Sequence, residues 1–312
     1  IISKKVISRK LLAEKQSEEN SIKGIIYMYD AVIIGKGPAG ISASLYTVRA
    51  NLKTLVIGQS DSALLKAGKI ENYYGFSAAI SGQKLLEEGE KQATRLGTEI
   101  LNDKVISIQQ DKNFKVLTSD GEYEAKTVLI ATGQPLKKVR IENLDFYEGK
   151  GVSYCTTCDG FFYNNLVVGV LGYGDYAVHE AIELEAFTKD ITIFTNGREL
   201  EAKGKYQKEA QRFNVVTKPV YRVDGGETIQ KIFFKDGTSK DIDGLFVAYE
   251  SPSSVDFATK LGIVTKKNAI EVDENQATNI PGVYAAGDCT GTFKQISTAV
   301  GQGAIAGRKM IE

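Results

Sequence analysis

One histidine, His179, and three cysteines are all that 312 residues provide of those two chemistries. A single imidazole excludes Ser-His-Asp catalysis unless His179 itself serves, and so few thiols leave little to hold zinc. Proton transfer then falls mostly to carboxylates, thiols or a cofactor. Net charge is lacking as well: 39 Lys and Arg balance 39 Asp and Glu. No global basic field exists of the kind nucleic-acid binders use. The longest apolar runs, such as 128–131 and 166–171, are strand-length and far short of a bilayer span. Neither nucleic acid nor membrane is an expected partner. No signal-peptide core precedes a cleavage site, and three cysteines, two of them in one motif, make no disulfide scaffold. A reducing cytoplasm fits that usage. What remains is ordinary globular composition, 42% hydrophobic and 25% charged, at a length that suits two compact domains. Residues 1–27 are mixed-charge and polar and are read as an extension or tag, the alternative being a docked N-terminal helix.

The most informative stretch is Cys155-Thr-Thr-Cys158-Asp159. Two thiols at this spacing form a small ring when oxidised and share charge when reduced, so one sulfur is a thiolate near neutral pH and attacks a disulfide. Half of a zinc site is the competing reading, but no second Cys-x-x-Cys exists and Cys289 stands far off in sequence. Cys289 itself reads as a small residue packed beside a cofactor.

Two strand-turn-helix units surround this dithiol. The apolar run from Tyr29 leads into Gly35-x-Gly37-x-x-Gly40, with Lys36, Pro38 and Ala39 between, and then a helix through Arg49 and a strand Leu52–Ile57. The first glycine permits a tight turn, the second lets backbone N–H groups approach a pyrophosphate, and the third lets helix and strand pack closely. The acid that should hold the adenosine ribose is missing. Gly58-Gln59 stands there, so Gln59 or water would take that role. The second unit runs from Leu166 into Gly172-Tyr173-Gly174, a helix from Val178 to Phe187, and a strand Ile191–Phe194. His179 on that helix reads as partly exposed and without chemistry. Two further apolar strands stop at small residues, one at Ala131-Thr132-Gly133 and one at Gly287-Asp288. Such junctions let a cofactor lie against backbone, and Asp288 can accept hydrogen bonds from sugar-like hydroxyls. A helix from Gln295 to Met310 would aim its positive end at an anionic ring. With the first loop these features favour a flavin.

In combination these residues resemble the low-molecular-weight thioredoxin reductases, most closely their ferredoxin-dependent flavin branch. The likeness rests on the 35–40 loop, Glu71-Asn72-Tyr-Tyr-Gly75, Ala131-Thr132-Gly133, the 151–161 stretch around the cysteines, Ala286-Gly287-Asp288 and Lys294-Gln295-Ile296. It implies an α/β fold of two Rossmann-like three-layer domains. The first is a discontinuous FAD domain at 28–134 and 250–312, and the second a dithiol-bearing middle domain at 135–249. It implies a homodimer, non-covalent FAD, and Val105 holding the adenine through its backbone. It also implies that Cys158 faces the flavin, Cys155 attacks the thioredoxin disulfide, and Asp159 acts as general acid.

One departure bears on the electron donor. NADPH-using members carry a His-Arg-Arg run and a further Arg after the second strand of the middle domain. This chain has Thr195-Asn196-Gly197 and Glu201 at those places. A carboxylate about 5 Å from a phosphate charge costs roughly 3 kcal/mol at an effective dielectric near 20, before the missing Arg contacts are counted. Tyr173 and Tyr176 replace smaller residues in the loop and hinder approach of a pyrophosphate, although Arg198 is placed to swing in. NADPH is therefore not expected, and reduced ferredoxin is the expected donor. A ferredoxin near roughly −400 mV feeding thioredoxin near roughly −270 mV releases about 6 kcal/mol per two electrons. Lys137, Lys138, Arg140 and Lys150 are candidates for docking an acidic partner, or form a solvated charge run. The alternatives are a reductase that uses NADH or NADPH through an unorthodox pocket and a flavin-bound redox sensor. A ferredoxin to NADP reductase is disfavoured by the dithiol and the lost Arg positions.

Overall fold

The computed structural model describes residues 27–60, 62–133 and 139–312. Lys137, Lys138 and nearly all of the 1–27 extension lie outside the described residues. The first unit opens with β1 (Tyr27–Ile34), α1 (Pro38–Arg49), β2 (Thr54–Ile57), α2 (Gly82–Leu96), β3 (Glu99–Leu101), β4 (Val105–Gln110), β5 (Phe114–Thr118) and β6 (Glu122–Ile130). The strand read as beginning at Tyr29 starts two residues earlier, at Tyr27, which pairs with Tyr123 of β6. Central strands β1 and β2 are apolar on both faces because helices cover one side and other chain the second, as parallel sheets require. Pro38 starts α1, where a missing N–H costs nothing. Ser81 caps α2 by accepting from the Lys84 N–H, and Gly97, at φ 110°, ends it.

The chain then builds a second unit from β7 (Val152–Ser153), α3 (Thr156–Asp159), β8 (Val168–Leu171), α4 (Asp175–Leu184), β9 (Ile191–Phe194), α5 (Gly204–Glu209) and β10 (Asn214–Val216). After these come β11 (Val220–Gly225), β12 (Ile229–Phe234), β13 (Ser239–Asp241) and β14 (Gly244–Val247). Strands β10-β9-β8-β14-β7 form a five-stranded parallel sheet, and β11-β12-β13 form an antiparallel one beside it. Both units thus show the Rossmann-like α/β order expected from the sequence.

The return segment carries α6 (Ser254–Leu261), the hairpin β15 (Thr265–Lys266) and β16 (Ala269–Ile270), β17 (Val283–Ala285) and α7 (Ile296–Lys309). Strand β17 rejoins the first sheet by pairing in parallel with residues 128–130 of β6, while β5 takes 122–125 of the same edge antiparallel. The sheet order is β3-β2-β1-β6-β5-β4 with β17 added on β6. Helix α7 packs across α1 closely enough that a Cβ at Gly303 would stand 2.1 Å from the Ala39 carbonyl oxygen.

The two units share a contact. Ile106 of β4 belongs to the core of the second unit, with Tyr176, Val178 and Tyr206. Helix α4 lies in this junction, and every residue from Asp175 to Ala181 is buried. The helix starts three residues earlier than the sequence suggested, and His179 is buried, 6% exposed, rather than partly exposed. A helix covered on both sides buries even the face that periodicity assigns to water. The His179 ring meets Tyr206 edge-on at 6.1 Å.

Burial pushes the His179 imidazole down to about 4 from 6.5, against the opposing Glu180 carboxylate and with help from Lys260 and Lys205. The folded state thus binds this proton less readily than the unfolded chain. The contribution is present above about pH 6.5 and is lost as pH falls toward 4. Glu183, Asp103 and Asp256 are raised, each chiefly by burial, and act with the opposite sign. The effect must therefore be read by difference. Between pH 7.5 and 4.5 the parent should lose about 2–3 kcal/mol more unfolding free energy than His179→Leu. Parallel denaturant-derived stability profiles for the two proteins would contradict this.

Candidate active site

Three chain junctions meet at the C-terminal ends of β1, β6 and β17, the edge where open α/β sheets bind ligands. Gly35, at φ 112°, turns so tightly that a Cβ there would stand 2.2 Å from the Ala131 carbonyl oxygen. A Cβ at Gly40 would stand 1.9 Å from the carbonyl oxygen of Gly35, whereas one at Gly37 would meet nothing within 4 Å. The middle glycine therefore borders open space at the start of α1, whose first N–H groups receive no side-chain cap. Ala39 is buried against α7. Gly133 and Gly287 both have positive φ, and the Gly287 N–H donates to Gln302 Oε1 at 2.8 Å. Asp288, half-buried, opens the short turn that follows.

The remaining residues of the set gather nearby. Asn72 Nδ2 donates to Gln295 Oε1 at 2.9 Å, joining residues that are 223 positions apart. Gln295 is the N-cap of α7 and gives no side-chain cap bond, so the helix start before Ile296 keeps its donors. Lys294 is exposed, and Val105 is buried at the head of β4. Gln59 is exposed beyond β2. Beside it sits a polar group that sequence reasoning missed. Lys36 Nζ reaches Ser60 Oγ at 2.9 Å and Glu90 Oε1 at 3.2 Å, and Ser60 Oγ donates to Asn102 Oδ1 at 3.2 Å. The signal available was Lys36 inside the glycine loop, whose side chain follows β1 toward the end of β2.

This cradle fits FAD. Thr132 Oγ1 is a buried hydroxyl without a protein partner, and such a group is costly unless something accepts from it or donates to it. The space beside Gly37 and the uncapped starts of α1 and α7 offer N–H groups to a pyrophosphate and a flavin ring. Cys289 is buried beneath this edge, its thiol within reach of the Ile130 and Ala286 carbonyl oxygens at 3.4 and 3.3 Å. Burial drives its pKa up to about 12, which makes it inert packing.

Cys155 and Cys158 form a disulfide at the start of α3. Cys155 is the N-cap, and its Sγ accepts from the Cys158 N–H at 3.1 Å. Cys155 is 3% exposed, whereas Cys158 is exposed and its Sγ lies 4.0 Å from the Thr259 carbonyl oxygen on α6. Asp159 Oδ2 accepts from Ser153 Oγ at 2.6 Å, and the same hydroxyl oxygen accepts from the Cys155 N–H at 3.0 Å. Ser153 thus ties the carboxylate to the cysteine backbone. The turn is braced from behind as well: Thr156 Oγ1 donates to Glu180 Oε2 at 2.6 Å, and Glu180 Oε1 is ion-paired to Lys260. Side-chain exposures of 7% for Lys260 and 2% for Glu180 make this a buried pair. Losing one member would strand a charge, at a cost on the order of 3–5 kcal/mol. No group of three or more His, Cys, Asp or Glu among the described residues is arranged to hold a metal.

The second glycine loop is covered by its own chain. The Glu201 N–H donates to the Tyr173 carbonyl oxygen at 2.6 Å, and Glu201 bridges to Gly174 as an isolated strand pair. The Lys203 N–H donates to Asp175 Oδ1 at 2.7 Å at the start of α4. Arg198 lies over the Tyr173 ring at 4.4 Å, and that ring meets Tyr249 edge-on. Thr195 Oγ1 donates to the Arg198 carbonyl oxygen, and Asn196 Oδ1 accepts from the Val220 N–H. The Thr195 and Asn196 side chains are thus committed to the fold, while Glu201 is held by its backbone and stays exposed.

Against known proteins, residues 29–303 match the family described as pyridine nucleotide-disulphide oxidoreductase. A thioredoxin reductase of Peptoclostridium acidaminophilum is 32% identical over 299 residues, covering 89% of this chain and 95% of that protein. An atypical thioredoxin reductase from Desulfovibrio vulgaris Hildenborough superposes with a TM-score of 0.86 at 40% identity, over 92% of this chain and 97% of that one. A ferredoxin-flavin thioredoxin reductase from Clostridium acetobutylicum gives 0.67 at 31%, over 92% and 98%.

Two glycine substitutions should separate cofactor space from chain packing. Gly37→Val fills only open space at an ordinary φ of −78°. It should weaken FAD binding at least about tenfold in a fluorescence titration while moving the apoprotein unfolding midpoint by no more than about 2 °C. Gly40→Ala collides with backbone and should lower apoprotein stability by about 2 kcal/mol or more. Undiminished FAD affinity in Gly37→Val would place the pyrophosphate elsewhere.

Proposed function

The chain belongs to the pyridine nucleotide-disulphide oxidoreductase family and, within it, to the thioredoxin reductases, and from that premise we propose that it reduces thioredoxin through FAD and the Cys155–Cys158 dithiol, with reduced ferredoxin and not NADPH as the electron donor. The observation that carries the donor assignment is the covered second glycine loop. A pyrophosphate would sit at the end of β8, and there Glu201 and Lys203 bond to the loop through the Tyr173 carbonyl oxygen and the Asp175 side chain. Glu250 adds a second carboxylate whose charge is felt at Tyr173. Two acids and a stacked Arg-Tyr-Tyr cluster stand in place of a cationic clamp.

FAD, when bound, supplies the conversion between single electrons and an electron pair. The chain's own residues do the rest. In the reduced protein the Cys155 thiolate is favoured by the Cys158 N–H aimed at its sulfur. It attacks one sulfur of the thioredoxin disulfide, forming a mixed disulfide and expelling the second sulfur as a thiolate, which takes a proton from Asp159. The Asp159 carboxylate takes the Cys158 proton, and the Cys158 thiolate then attacks Cys155 Sγ, releasing the second thioredoxin sulfur as a thiolate and restoring the Cys155–Cys158 disulfide. Two electrons pass from the dithiol to thioredoxin. Cys155 is buried in the arrangement described, so the dithiol unit must shift before a protein disulfide can reach it. The working form is a homodimer, and in the groove of about 490 Å³ between α1, α2 and α7, which starts at Gly37 on the cofactor edge, the far end at Leu45 and Leu85 is the part a second copy would cover. Arg140 and Lys150 remain exposed for an acidic donor.

The family name itself supports a second reading, in which a nicotinamide nucleotide enters through an altered pocket. Anaerobic mixing separates the two. Reduced ferredoxin should bleach the flavin band and sustain thioredoxin reduction, while NADPH or NADH at micromolar levels should leave the band unchanged over minutes. Rapid bleaching by either nucleotide would overturn the donor assignment, and a single oxidation of the dithiol without turnover would favour a redox sensor. Cys155→Ser should keep FAD bound and reducible yet lower thioredoxin turnover at least about a thousandfold.

A further inference from the structure

The ion pair between Lys260 and Glu180 is not needed by either unit alone. Lys260 lies in the last turn of α6, which belongs to the return segment beside the first sheet, while Glu180 sits on α4 of the dithiol unit. Both side chains are almost fully enclosed, and the Lys260 ammonium also lies 5.2 Å from the centre of the Tyr176 ring. A charge pair this dry is stabilising only when both partners and their remaining hydrogen bonds are in place. Separation of the units would return both charges to water, so the contact is specific to this one relative placement. Its second hydrogen bond leads to the chemistry, because Glu180 Oε2 accepts from Thr156, the residue that follows Cys155 and opens α3. One residue before Lys260, the Thr259 carbonyl oxygen lies beside Cys158 Sγ. Helix α6 therefore touches the dithiol turn at both ends, directly at one sulfur and through Glu180 and Thr156 at the other. The apolar half of the same junction is Ile106 packed against Tyr176 and Tyr206.

We propose that Lys260 and Glu180 are positioning residues whose buried pair clamps the dithiol turn, through Thr156, in the placement that buries Cys155 and turns Cys158 outward. Release of the clamp governs how readily Cys155 emerges to meet a disulfide. The proposal rests on the assignment of Cys155 as the attacking thiol, but its test uses neither ferredoxin nor thioredoxin, so the two can fail separately.

The test is timed alkylation of the FAD-loaded, dithiothreitol-reduced full chain with iodoacetamide, with each cysteine followed by peptide mass spectrometry. Cys289 is the internal reference, since it is buried in the core of the other unit. In Lys260→Met and in Glu180→Gln the rate at Cys155 should rise about tenfold or more while the rate at Cys289 stays at the parental value. Lys260→Arg, which keeps the charge, should restore a rate within about twofold of the parent. Thr156→Val, which cuts only the last link and leaves the ion pair, should also quicken Cys155. Parental Cys155 rates in Lys260→Met or Glu180→Gln would overturn the clamp. So would a matched rise at Cys155 and Cys289, which marks general loosening of the fold. If Lys260→Met does not fold, Glu180→Gln and Thr156→Val decide the question by the same ratio.

Discussion

Strand β6 has two edges, and on one of them two strands share the available hydrogen bonds. Residues 122–125 pair with β5 antiparallel and residues 128–130 pair with β17 in parallel. The first unit is interrupted by the whole of the second, and this short parallel ladder is where the interruption is repaired. Only when β17 docks there does Gly287-Asp288 come beside Ala131–Gly133 and the turn at Gly35. The ladder is three residues long and would be marginal alone. It is supported by the crossing of α1 and α7, where Gly303 and Gly307 let the two backbones touch, and by Gln302 holding the Gly287 N–H. The flavin cradle is thus a product of chain closure, assembled from segments more than 250 residues apart.

The two units use one architecture for different ends. Both run strand, glycine turn and helix at the edge of a parallel sheet. Neither helix that follows has a side-chain cap, and in the first unit the turn borders open space at Gly37. In the second, Tyr173, Tyr249 and Arg198 stack on one another and the Glu201 backbone closes over the loop. The second unit also mounts the dithiol, since β7 and α3 carry it and α4 supplies Glu180 behind it.

The dithiol sits between opposing demands. On the proposed relay, electrons reach it through Cys158, which lies beside α6, and leave through Cys155, which the present placement buries. Ser153, Asp159 and Thr156 hold the turn rigid within its own unit, so exchange between the two demands is a matter of how the units sit against each other. The junction that governs this is partly apolar, at Ile106, and partly ionic, at Lys260 and Glu180. Apolar contact tolerates sliding, while a desolvated ion pair does not.

The sequence alone settled whatever depends on neighbours along the chain. Gly35, Gly37 and Gly40 announce their turn through their spacing: a side chain at the first or third would collide with backbone, and the second keeps the space beside it open. The apolar runs before them announce buried strands, and Cys155 with Cys158 announce redox chemistry through spacing alone. The loss of positive charge near Thr195 and Glu201 was legible for the same reason. Tertiary structure decided the rest. His179 looked half-exposed because helical periodicity cannot register a second unit lying on the polar face. The partners of Lys36 at Ser60 and Asn102, and the pairing of Lys260 with Glu180, left no local pattern. Each such pair becomes a contact only after sheets have formed and packed, since desolvation and hydrogen bonding act on distance in space and carry no signature in distance along the chain.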